Sequence, residues 1–353
     1  MPIRRRCKAV IQSFLCRNQQ HKLTKSYFYF SQSKTTQAGL FTENNRLCQI
    51  KSSRSFSTGT QLNMRFVQFT ASTGGPQRLG VQLVQDGDII DVSGVDSSIP
   101  NDLVQLLQGG PSVLERAKRV VAEGKSVLRP ADVVLRAPVT APGKVVCVGL
   151  NYSGHCDEQN VPYPKEPVFF SKFSSCIVGP YDDVRHAEIT TALDWEVELA
   201  LVMGRRAKDV KPVEAMEHVF GFTVAQDITA RDWQKGRNGG QWLLGKSMDT
   251  FCPLGPAVVT KEAVGDVYAL GIRSKVNGVL KQSGNTSELI HKIDYLVSFL
   301  SHCVTLLPGD VILTGTPAGV GVHRKPQEFL KVGKIKPLFI FCSACPVNLG
   351  MFA

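Results

Sequence analysis

The chain has 353 residues, 43% hydrophobic and 20% charged, enough for one large or two ordinary soluble domains with a sizeable core. No apolar run approaches the roughly 18 residues of a transmembrane helix. Its net charge of +11 is concentrated in residues 1–63, which carry eleven Lys or Arg against one acid, Glu43; the near-neutral remainder excludes a general nucleic-acid-binding surface.

In chain order, that basic segment comes first. It is rich in Ser, Thr and Gln, the composition of a mitochondrial transit peptide, with RSFSTG (54–59) placed where processing would fall. No apolar core of about 7–15 residues follows the RRR near its start, so a secretory signal fits poorly. The alternative is a basic tail ahead of an internal start at Met64.

A small α+β unit is expected over 64–138. MRFVQFT alternates like a strand, and RLGVQLVQDGDIIDV reads as a hairpin turning at Asp-Gly. DLVQLLQGG and PSVLERAKRVVAEG read as helices ended by Gly. Pro130, Pro138 and Pro142 mark residues 125–143 as a connector.

From 139 to 332 short strands dominate: KVVCVGLNY, PVFFSKF, SCIVGP, HVFGFTVAQD, GPAVVT, GIRSKVNG and DVILTG. Helical patterns appear at VEAMEHV, TARDWQKG and TSELIHKIDYLVSFLSHC. The fold class is a β-rich α+β fold rather than an alternating βα sheet. No GxGxxG follows a strand and no P-loop occurs, so nucleotide readings lack support.

The chemistry is expected to centre on DWEVELALVM (194–203). Asp194, Glu196 and Glu198 alternate, so one strand face would carry three carboxylates. Neighbours about 7 Å apart repel by roughly 2 kcal/mol at an effective dielectric near 20. A divalent cation with oxygen ligands would reverse that; a solvated acidic face is the plainer reading. Asp227 ends a small-residue face (Gly221, Thr223, Ala225), and Thr229 with Asp232 reads as a separate capping box, leaving Asp227 free.

His155 and Glu158, three apart, can form a general-base pair or an ordinary surface pair. Lys246 could neutralise the acids, hold an anionic substrate, or be a solvated lysine. LTGTPAGVGV (313–322) is a Gly-rich loop able to aim backbone N–H groups and the Thr316 hydroxyl at an anion, or a plain turn. The ten cysteines read mostly as reduced, buried thiols, and the lone pair Cys342/Cys345 is a weak zinc signal.

Six of these stretches occur in register. GLNYxxHxxE, DWEVELALVMG, FTVAQDITARDWQ, GKSMDTFCPLGP, NGVLKQSGNTSELI and PGDVILTGTPAGVG together resemble the fumarylacetoacetate hydrolase superfamily over about residues 64–330. The resemblance implies a mixed β-sandwich roll, a homodimer, and a divalent ion, usually Mg²⁺ with Mn²⁺ or Ca²⁺ as alternatives, held by Glu196, Glu198 and Asp227. It leaves Asp194 outside the ligand set. It makes His155, Glu158 and Lys246 the catalytic candidates, and Arg231 and Thr316 the substrate-binding ones. It implies a small 2-oxo acid substrate and keto–enol tautomerisation of oxaloacetate in mitochondria. Acylpyruvate hydrolysis, oxaloacetate decarboxylation and non-catalytic metabolite binding are the alternatives. The end, 333–353, departs from the superfamily pattern, being apolar and Cys-rich where an acidic strand is usual.

Overall fold

Residues 63–331 are described in the computed structural model. The basic segment read as a transit peptide, up to residue 62, lies outside the described residues. So does the unusual C-terminal end with Cys342 and Cys345.

The first hairpin forms where alternation and Asp-Gly place it. β1 (Arg65–Ala71) pairs with β2 (Arg78–Gln82), and β2 with β3 (Ile89–Ile90), all antiparallel. Asp86 turns the chain at φ +53° before Gly87. Helix Leu103–Gln108 is capped by the Asp102 carboxylate, and helix Pro111–Glu123 opens on Pro111 and closes on Gly124 at φ +62°.

The segment expected as a connector instead carries two strands, β4 (Val127–Leu128) and β5 (Val133–Arg136), on β3 and β1. Pro130 sits in the short 3-10 turn between them, where its missing N–H costs no ladder bond.

The remaining strands are β6 (Val145–Gly149), β7 (Val168–Lys172), β8 (Ile177–Val178), β9 (Leu193–Asp194), β10 (Val197–Met203), β11 (Val219–Gln226), β12 (Thr229–Ala230), β13 (Cys252–Thr260), β14 (Gly271–Val276), β15 (Val279–Asn285) and β16 (Val311–Leu313). One sheet runs β4-β3-β2-β1-β13-β11-β10-β16-β6-β7, with β5 on β1 and β8 on β13. Because β1 pairs with β13 as well as β2, the N-terminal strands share this sheet with the later ones. β9–β12 and β14–β15 form two small ladders. The β-rich α+β expectation holds.

The central strands are buried on both faces, which is why they read as apolar runs. Val197, Leu199, Leu201 and Met203 of β10 pack into a core with helix Ile293–Cys303. That helix presents Ile293, Leu296, Val297 and Leu300 at i, i+3, i+4 and i+7. Each such buried side chain stabilises by about 1.5–3 kcal/mol. Ala200 and Val202 face a second core with Ala225, Leu254 and Leu313. Glu198 and Asp227 lie on this second face, where the small Ala200, Thr223 and Ala225 leave room.

Candidate metal centre and active site

The strand that was to carry three acids is broken at Trp195 and Glu196, between β9 and β10. The break separates the acids. Asp194 pairs through β9 with Thr229 and turns toward Arg231. Glu196 and Glu198 instead converge with Asp227 from the neighbouring strand end, their ligand oxygens all within 4.8 Å of one another. The three-acid face is thus corrected to two acids from one segment and one from the next.

Two buried lysines and an arginine fill the space between these acids. Lys246 Nζ donates to Glu196 Oε2 at 2.7 Å and to Asp227 Oδ2 at 2.6 Å. Lys172 Nζ donates to Asp227 Oδ1 at 2.6 Å, to the Ile228 carbonyl at 3.2 Å, and to the Lys246 carbonyl. Arg231 Nε donates to Asp194 at 2.8 Å; its Nη2 lies 2.6 Å from Glu196 Oε1 without the angle of a hydrogen bond. Burial opposes the Lys172 charge, but Asp227 and nearby thiols outweigh it and hold the ammonium above its ordinary range. Burial likewise opposes the Arg231 charge, and Glu196 and Asp194 more than offset it.

The four acids differ in their compensation. Burial would lift Glu196, yet Lys246 and Arg231 overcome it and hold the carboxyl well below the usual range. Glu198 has no such cation. Burial, then Asp227 and Glu196, push it well above the usual range, and only Lys246 at a distance and the Gly315 N–H at 2.7 Å oppose them. Four buried acids face three buried bases, one negative charge in excess. Glu198 therefore holds its proton to higher pH than an ordinary glutamate unless another cation is present. A divalent ion fits this donor set: all three ligands are hard carboxylate oxygens with spare lone pairs, and it would turn the excess to one positive charge.

A pH dependence follows. Without divalent ion, the folded protein holds a Glu198 proton that the unfolded chain has released above the ordinary glutamate range. Stability therefore falls as pH rises through that window, by up to about 1.4 kcal/mol per pH unit, and levels off above the folded value. Glu196 acts oppositely and lower: its contribution is present above the usual range and lost as pH falls through its depressed value. Urea unfolding over about pH 5–8 is expected to show the falling slope. Saturating Mg²⁺ or Glu198→Gln should remove it; a slope unaltered by either contradicts the assignment.

The Gly-rich loop does bind anions, but they are carboxylates of this chain. Gly315 N–H goes to Glu198, Gly319 N–H to Glu158 Oε2 at 2.8 Å, and the N–H groups of Gly321 and Val322 to Asp194 at 2.7 and 3.0 Å. Gly315 (φ +103°) and Gly319 (φ +106°) need glycine twice over: a Cβ at Gly319 would lie 2.3 Å from the Lys281 carbonyl. The Thr316 hydroxyl donates to the Val197 carbonyl at 2.8 Å and accepts from Gln282 at 2.7 Å. It lines the cavity while already hydrogen-bonded.

GLNY ends β6 in a turn with Leu150 at φ +54°. Buried Asn151 ties the turn to the Thr314 and His291 carbonyls. Helix Ser153–Gln159 then presents the expected pair: Glu158 Oε1 lies 2.6 Å from His155 Nδ1. Gln159 Nε2 sits 3.0 Å from His155 Nε2. The two neighbours fix the Nδ1–H tautomer, with Nε2 as the basic atom.

The expected capping box is absent. Thr229 donates to the Asp227 carbonyl at 2.8 Å, and Asp232 accepts from Thr190 and Thr191. Thr229 belongs to β12, so its backbone is committed to β9 instead of a helix start.

A cavity of about 80 Å³ joins these groups. His155, Glu196, Glu198, Arg231, Lys246 and Thr316 line it; Glu158 and Asp227 stand behind them. Phe170 and Trp242 form an apolar wall, their rings 5.2 Å apart. Sequence reasoning missed Lys172 and the anchoring role of Asp194. A lysine inside the apolar run PVFFSKF was the available signal.

The model for the fumarylacetoacetate (FAA) hydrolase C-terminal family matches residues 144–336. The oxaloacetate tautomerase fahd2, mitochondrial, of Xenopus laevis is 50% identical over 282 residues, covering 80% of this chain and 88% of that one. The chain belongs to the fumarylacetoacetate hydrolase family. The human oxaloacetate tautomerase FAHD2A, mitochondrial, is 53% identical over 271 residues, covering 77% and 86%. Among solved structures of the family, a fumarylacetoacetate hydrolase from Exiguobacterium antarcticum superposes with TM-score 0.68 at 35% identity, covering 81% and 98%. A maleylpyruvate hydrolase from Sphingobium sp. SYK-6, solved with manganese(II) and pyruvate, gives TM-score 0.65 at 27% identity, covering 82% and 98%. The acidic cluster is the feature of this fumarylacetoacetate hydrolase family member that suits a divalent metal.

Proposed function

We propose that this chain is a mitochondrial, divalent-metal-dependent oxaloacetate tautomerase that works as a homodimer with Mg²⁺. The observation that carries the reading is Glu198, a fully buried carboxylate with no cation of its own beside Glu196 and Asp227. The relatives named for oxaloacetate tautomerisation and for mitochondria, at about half identity over most of their length, support the activity and the compartment. The basic N-terminal segment supports the same compartment.

Glu196, Glu198 and Asp227 would hold the ion, which supplies polarisation of a 2-oxo acid's keto oxygen when bound. Lys246 holds Glu196 well below the usual carboxylate range and also donates to Asp227, to which Lys172 donates as well. Arg231, fixed by Asp194, holds Glu196 from the other side. His155 Nε2 is the proton acceptor, steadied through Nδ1 by Glu158, and moves a proton between C3 and the enol oxygen. The proton taken from one atom returns to the other, so nothing is gained or lost. Phe170 and Trp242 keep water from the reacting carbon.

The test follows enol-oxaloacetate by ultraviolet absorbance, with pyruvate assayed in the same sample, with and without Mg²⁺. Mg²⁺-dependent loss of enol without pyruvate is the expected result. Matching pyruvate would replace the reading with decarboxylation, and no accelerated loss would reject it.

A further inference from the structure

Among the described residues lining the cavity, every base but one is already taken. Arg231 and Lys246 are held by Asp194, Glu196 and Asp227. Lys235 lines the same cavity without a hydrogen bond or ion pair. It lies four residues beyond Arg231 on helix Arg231–Gly236, so both project from one side. Arg231 and Gln234 are buried, whereas Lys235 is exposed and lines the cavity with the half-buried Gln159. Val148, Phe170 and Trp242 add apolar lining to the same cavity.

That arrangement suits a short molecule with unlike ends. The 2-oxo carboxylate end would face the acidic floor, where Glu196, Glu198 and Asp227 would hold the cation. A second carboxylate would find apolar side chains and amides around it, and a charge held against apolar lining gains from an opposite charge. Lys235 supplies that charge, on a flexible stem. Burial and then Arg231 already depress its pKa, a like-charge conflict that a carboxylate would relieve.

We propose that Lys235 anchors the second carboxylate of a 2-oxo diacid, so that the site selects diacids over 2-oxo monoacids of equal length. This rests on the 2-oxo acid reading above and adds the charge of the substrate's far end.

Calorimetric titration of the full protein with Mg²⁺ tests it, using equilibrated oxaloacetate and its 4-methyl ester as ligands. The wild type should bind the diacid more tightly than the ester. Lys235→Met should weaken oxaloacetate about five- to tenfold and leave the ester unchanged, while Lys235→Arg restores most of the loss. Equal weakening of both ligands, no weakening of either, or a wild type without preference for the diacid overturns the anchor. The enol assay on the same wild-type sample separates the two readings. Selective binding without turnover keeps Lys235 as anchor and rejects the tautomerase; turnover without selectivity does the reverse.

Discussion

Asp227→Asn is expected to remove both catalysis and much of the folding margin. Asp227 is fully buried and accepts from Lys172 and Lys246, both at 2.6 Å. The amide keeps the shape but offers one neutral acceptor to two ammonium groups. Removing one partner of a buried ion pair costs about 3–5 kcal/mol, because the charge left behind has no compensation. One of the three carboxylates proposed to hold the metal is lost as well, so enol conversion should fall by at least about a thousandfold. Urea midpoints and the enol assay read the two losses separately. A double-mutant cycle with Lys172→Met sharpens the test, since deleting both partners should cost less than the two single changes together. Strict additivity would show that the contact between Lys172 and Asp227 contributes nothing.

Glu158→Gln is expected to reduce turnover by about a hundred- to ten-thousandfold with the fold intact. Glutamine still offers an oxygen to the Gly319 N–H, so the loop contact survives. What disappears is the carboxylate that accepts from His155 Nδ1 and fixes the tautomer of the imidazole. Calorimetric Mg²⁺ affinity should remain at the wild-type value. A variant with normal turnover would remove the pair from the mechanism; weakened Mg²⁺ binding would make Glu158 a part of the metal site.

Local signals were legible where their physics is local. Alternation and Asp-Gly gave the first hairpin, and continuous apolar runs gave the central strands. The three-residue spacing of His155 and Glu158 gave their contact. The convergence of Asp227 with Glu196 and Glu198 was read through family likeness, because no local rule brings β10 and the end of β11 together. What failed was non-local. The break at Trp195 that sends Asp194 to Arg231 depends on β9 pairing with β12, a partner 35 residues away. Thr229 matched a capping pattern but was claimed by the same ladder. Lys172 could be seen as a charge in an apolar strand, while its partner 55 residues on could not.

The loop from Gly315 to Val322 touches three carboxylates: Glu198 of the proposed metal cluster, Glu158 of the proposed proton-transfer pair, and Asp194 behind Arg231. Its backbone has to be ordered only once to serve all three. Whichever carboxylate seats first removes conformational freedom that the others would otherwise have to remove. On the proposed roles, filling the metal site and seating the helix that carries His155 would favour each other, and by the same factor in either order. Communication between the cation and the base needs no moving domain; eight residues of shared backbone are enough.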